Sequence, residues 1–67
     1  MKRGALLRHL RRYGCYLKRE GGRHSLWANP GTGAVEAILR HTEIPDRLAQ
    51  KICRGLGVPE PGADPKV

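Results

Sequence analysis

Three histidines, His9, His24 and His41, are the residues of this chain whose side-chain type normally titrates near cellular pH. His9 lies among arginines in a stretch with helical spacing and reads as a surface residue. His24 follows Gly21-Gly22-Arg23 at the mouth of a predicted hairpin, bracketed by Lys18, Arg19 and Arg23. One imidazole among cations is the minimum equipment for cutting RNA. The substrate carries its own nucleophile, the 2′-hydroxyl. The protein must take that proton, return one to the leaving 5′-oxygen, and stabilise charge at the phosphate. Histidine can do either proton transfer and arginine or lysine can hold the phosphate, so no metal or cofactor is needed. DNA lacks the 2′-hydroxyl and would be left intact. By spacing alone, a lone histidine in a short strand such as His24 is more often structural than catalytic.

Other chemistry finds little support. There are no paired carboxylates suited to glycosidic or metal-dependent phosphodiester cleavage, and no Ser–His–acid arrangement can be argued. The run Gly31-Thr32-Gly33 reads as a turn, not a phosphate-binding loop. Cys15, His24, His41 and Cys53 offer zinc-binding atoms but lack the close pair spacing of structural zinc sites, so no metal site is assigned.

Size and charge narrow the partner. At 67 residues the chain is one small domain with little room for a deep cavity, which favours an open surface and a long polymeric ligand. The net charge of +7 is concentrated at one end. Residues 1–24 hold eight basic side chains (Lys2, Arg3, Arg8, Arg11, Arg12, Lys18, Arg19, Arg23) against Glu20, whereas the basic and acidic residues of 25–67 cancel. Such a face attracts nucleic acid through counterion release, though an acidic protein or simple solubility would also account for it. No long apolar run marks a signal peptide or membrane span, which points to the cytoplasm. There thiols stay reduced, and Cys15 and Cys53 read as small buried hydrophobes.

The elements that must carry these residues follow from periodicity. Leu6, Leu7, Leu10 and Tyr13 predict a helix over residues 4–13, capped by Gly14. Residues 15–20 predict a strand with Cys15 and Leu17 on one face and Tyr16 and Lys18 on the other; Gly21-Gly22 then turns the chain into a strand over 24–29. Asn29-Pro30-Gly31-Thr32-Gly33 is a second turn, and residues 34–39 fit a third strand. Leu48, Ala49, Ile52, Cys53 and Leu56 form the stripe of a helix over 45–56, with Pro45 in its first position and Gly57 as its cap. Residues 59–67, with three prolines, predict a disordered tail beyond a domain of residues 1–58. The order α-β-β-β-α specifies a two-layer α+β domain, with both helices on one face of a three-stranded antiparallel sheet and the other face open. Alternation leaves the second strand's facing unsettled: if Leu26 and Ala28 face the helices, Trp27 faces outward and His24 inward, unless a fray or bulge after Gly22 releases it.

With these pieces in order, the chain resembles the HicA-type toxins of bacterial toxin–antitoxin pairs. The segments MKRGALLRHLRRYGC, GGRHSLWANPGTG, LRHTEIP and RLAQKICRGLGV carry the resemblance over residues 1–58. The family's Gly-x-His, followed by an apolar and an aromatic residue, appears here as Gly22-Arg23-His24 with Leu26 and Trp27. Its Pro-x-His before the last helix appears as Leu39-Arg40-His41. Arg23 stands where the family usually has a small polar residue, and Leu39 where it usually has proline. The resemblance implies a fold like that of double-stranded-RNA-binding domains, metal-independent cleavage of mRNA with His24 as the catalytic residue, and a HicB-type antitoxin that covers the site. It also makes His41 a residue that contacts RNA or supports His24, or else orders the turn before the last helix. Lys18, Arg19, Arg23 and Arg40 are the expected RNA contacts. Trp27 either stacks on a base, fills the sheet or anchors the antitoxin.

Overall fold

The computed structural model describes residues 1–61. Five elements follow one another: α1 (Arg3–Arg12), β1 (Tyr16–Glu20), β2 (His24–Ala28), β3 (Val35–Leu39) and α2 (Asp46–Leu56). The strands form an antiparallel meander in the order β1-β2-β3, so the α+β order α-β-β-β-α is the observed one. The predicted helices and strands are present, each displaced by about one residue at its ends. Pro45 precedes α2 in an extended conformation instead of occupying its first turn.

Both helices close in the same way, because each ends at a glycine with positive φ. After α1, Gly14 N–H donates to Arg11 O and Cys15 N–H to Leu10 O; after α2, Gly57 N–H donates to Arg54 O and Val58 N–H to Cys53 O. These paired bonds satisfy carbonyls that a helix end leaves open and turn the chain back over the core. Leu6, Leu7 and Leu10 of α1 and Ala49, Ile52, Cys53 and Leu56 of α2 share one cluster with Trp27, Ile38 and Ile44. The helices therefore cover one face of the sheet. Leu48, expected in that stripe, is only partly buried.

Register decides which residues of β2 meet the helices. Ser25 pairs with Ile38 and Trp27 with Glu36 on the helix side, while His24, Leu26 and Ala28 pair with Leu39, Ala37 and Val35 on the other. Trp27 is 1% exposed and lies in the core, with Arg11 over its ring at 5.0 Å. In β1 the register slips between Leu17 and Arg19, leaving Lys18 unpaired in a bulge. Every residue of β1 is exposed, including Leu17, whereas Cys15 just before it is buried. The two therefore do not share a buried face: β1 is an edge strand that the helices leave uncovered. On the open face buried Ala28 lies between its register partners Tyr16 and Val35, both exposed.

Asn29 ties the second turn to α2. Its Nδ2 donates to Leu56 O at 2.6 Å and its Oδ1 accepts from Gly31 N–H, which accounts for the burial of this polar residue. Part of the predicted tail is also engaged: His9 Nε2 lies 2.7 Å from Pro59 O, and Arg54 pairs with Glu60. The rest of the expected tail, 62–67, lies outside the described residues.

Cys15 and Cys53 are free and buried. Burial, then the neighbouring Cys15 and Glu60, pushes the Cys53 thiol up to about 11, and burial raises that of Cys15. Because the thiolate is the reactive form, neither cysteine is expected to react with a disulfide reagent at pH 7.5 until denaturant is added. Prompt labelling of the native protein would contradict this packing.

Candidate functional site

The site is built where β2 begins and β3 ends. Gly21 N–H donates to His24 O at 2.8 Å, closing the hairpin loop. A Cβ on Gly21 would stand 2.8 Å from that same oxygen, so the loop needs glycine there for close approach. His24 opposes Leu39, and Arg40 N–H donates to Arg23 O at 3.2 Å, carrying the ladder one step beyond the strands. Gly22, Arg23, His24, Leu39, Arg40 and His41 consequently line one open concavity of about 500 Å³.

A polar network on the helix side holds this end of the sheet. Arg3 of α1 donates through one terminal nitrogen to Ser25 Oγ at 2.7 Å and through Nε to Leu39 O at 2.9 Å. Ser25 Oγ donates to Glu20 Oε1 at 2.7 Å, and the other oxygen of Glu20 pairs with Arg40 Nε at 3.2 Å. Ser25 is 1% exposed, yet its hydroxyl both donates and accepts, so its burial carries no unmet hydrogen bond. The chain Arg3–Ser25–Glu20–Arg40 links α1, β1, β2 and the segment after β3. Sequence reasoning did not single out Arg3, Ser25 or Glu20 as site residues. The available signal was Glu20 and Ser25 flanking a short glycine turn, where pairing brings them together.

The segment 40–44 is pinned from the other side. Arg3 N–H donates to Thr42 O and Ile44 N–H to Met1 O, both at 2.8 Å, while Lys2 and the α-amino group of Met1 pair with Glu43. The α-amino group first, then Lys2, holds the Glu43 carboxyl below its ordinary range, and Glu43 and Asp46 in turn raise the α-amino group.

The expected site residues fall into three groups. His24, Arg23, Arg40 and His41 meet in the concavity, all exposed. Lys18 and Arg19 lie on β1, one strand away; they and Arg23 have no acidic partner among the described residues. Trp27 is separate from both groups. Its ring is buried against the helices, which corrects the expectation that it stacks on an RNA base; the exposed aromatic of the sheet is Tyr16. His24 faces away from the helices without any bulge in β2. Among the described residues the imidazoles of His24 and His41 make no hydrogen bond to the protein, and no group of three or more His, Cys, Asp or Glu side chains gathers as metal ligands.

Two further concavities lack this combination. One, of about 310 Å³, is lined by Met1, Asp46, Ala49, Gln50 and Pro61; the other, along α2, by Pro45, Arg47, Leu48, Lys51 and Arg54. Neither contains a histidine. No helix among the described residues is long and apolar enough to cross a membrane. No family model, curated protein or solved structure matches the chain.

Proposed function

We propose that this chain is a metal-independent endoribonuclease of the HicA kind, a toxin that cuts mRNA in the cytoplasm and is held in check by a HicB-type antitoxin. The observation that carries the reading is the concavity in which His24 stands exposed beside Arg23, Arg40 and His41. In this account His24 transfers a proton at the scissile phosphodiester. Arg23, which has no acidic partner among the described residues, balances the phosphate charge. Arg40 is fixed by Glu20 and contributes charge from a set position. Lys18 and Arg19 extend the cationic track along β1, and Tyr16 offers a ring for a base on the strand next to that of His24. The order α-β-β-β-α, with both helices behind the sheet, suits a relationship to double-stranded-RNA-binding domains. No cofactor enters the chemistry.

The competing reading is a noncatalytic double-stranded-RNA-binding module, which would use the same cations. It is favoured by Arg47 and Lys51, exposed on α2 beside a concavity that no histidine lines. End-group analysis separates the two. Single-stranded RNA of mixed sequence should yield fragments ending in a 2′,3′-cyclic phosphate and beginning with a 5′-hydroxyl. A single 2′-deoxy substitution should block cleavage at that linkage alone. Binding without fragments would favour the module, and cleavage indifferent to the 2′-deoxy substitution would contradict the proposed chemistry.

A further inference from the structure

A histidine that takes the proton from the 2′-hydroxyl leaves the departing 5′-oxygen in need of an acid. We infer that His41 is the second proton-transfer group and works with His24 as a pair across one phosphate. This rests on the ribonuclease reading and names the residue that completes it.

His24 opposes Leu39, and the bond from Arg40 N–H to Arg23 O continues the pairing by one residue. His41 follows Arg40 directly, so it stands at the same end of the β2–β3 pair as His24, and both line the one concavity. Two imidazoles in one open concavity can flank a single phosphodiester, one near each of its reacting oxygens. Gly22, which lines the same concavity, adds no side chain to fill it.

His41 is also held in place from both sides. Arg40 is bonded through its N–H to Arg23 O and through Nε to Glu20; Thr42 O accepts from Arg3 N–H; and Leu39 O accepts from Arg3 Nε. The backbone around His41 is therefore fixed at 39, 40 and 42, while its own side chain is exposed and makes no hydrogen bond among the described residues. A histidine serving only to order the turn would spend its ring nitrogens on the turn. Here Arg3, Glu20 and Arg23 do that work.

The step balances without a co-reactant. The 2′-hydroxyl proton passes to one imidazole as the O2′–P bond forms. The P–O5′ bond breaks, and the other histidine, entering as imidazolium, gives its proton to O5′. The products are a 2′,3′-cyclic phosphate and a 5′-hydroxyl, and the pair has exchanged protonation states. The charged groups around it are Arg23 from the hairpin, Arg40 from the segment after β3, Glu20 of β1 paired with Arg40, and Arg3 of α1 behind Leu39.

The test is the pH–rate profile of the whole chain on a short single-stranded RNA. It is run for wild type, His41→Ala and His41→Gln, with each variant checked for folding by circular dichroism. Wild type should give a bell, and each His41 variant should lose one limb and about 10²–10⁴-fold in kcat. Glutamine, which can bond to phosphate but cannot shuttle the proton, should restore KM and not kcat. With uridine 3′-(4-nitrophenyl phosphate), whose leaving group needs no acid, one of His24→Ala and His41→Ala should recover most of its rate, marking the acid. A His41→Ala variant that keeps the bell, or loses only KM, would overturn the inference while leaving the ribonuclease reading intact. A wild type that does not cut RNA would sink the ribonuclease reading itself, and the pair with it.

Discussion

Trp27→Ala is expected to lower the unfolding free energy by about 3–5 kcal/mol, the usual cost of emptying a site packed with a large aromatic ring. A domain of 67 residues has only about 3–10 kcal/mol in total, at ~0.05–0.15 kcal/mol per residue, so this one change should bring the protein close to unfolding at room temperature. The size of the effect follows from position. Trp27 is the only tryptophan of the chain, lies in the central strand, and is 1% exposed within the cluster that both helices share. Trp27→Phe should cost much less. It keeps most of the ring and removes the indole Nε1–H, which is buried with no partner among the described residues, an arrangement that itself costs about 1–3 kcal/mol. Urea melts followed by circular dichroism measure both, since tryptophan fluorescence is lost with the residue. A Trp27→Ala change below about 1 kcal/mol would mean that Trp27 is not packed as described.

His24→Ala should leave the fold unchanged and reduce RNA cleavage by about 10²–10⁴-fold, the contribution of a placed acid or base. The fold survives because the imidazole is exposed and makes no hydrogen bond to the protein among the described residues. Binding should change far less than rate. The cations proposed to meet the phosphates, Lys18, Arg19, Arg23 and Arg40, are untouched, and the slope of affinity against salt should depend on them. Wild type and His24→Ala should therefore show the same salt slope in RNA-binding titrations. A variant that loses binding and cleavage together would make His24 a contact residue instead.

Much of the architecture was legible because apolar spacing and glycine punctuation agreed. Ala49, Ile52, Cys53 and Leu56 repeat at helical spacing and end at Gly57, and the structure buries those four and closes the helix there. The facing of β2 was not legible. Ser25-Leu26-Trp27-Ala28 has apolar residues on both parities, so alternation carries no sign. What decides it is a set of partners distant in sequence: Arg3 and Glu20 bond Ser25, and the helices enclose Trp27. The same limit applied to β1, where the slip at Lys18 has no glycine to announce it. At the site, the hairpin mouth could be read from Gly21-Gly22 beside His24, but the meeting of His24 and His41 could not. It depends on the register that pairs His24 with Leu39, which the turn from Asn29 to Ala34 sets through the bond between Asn29 N–H and Ala34 O.

The most direct test of the ribonuclease reading is cleavage of single-stranded RNA in excess chelator by purified wild type and His24→Ala, both shown to be folded by circular dichroism. Wild type should give fragments, and the variant should lose at least about a hundredfold in rate. Equal cleavage by the two proteins, or RNA binding by both with cleavage by neither, would contradict it.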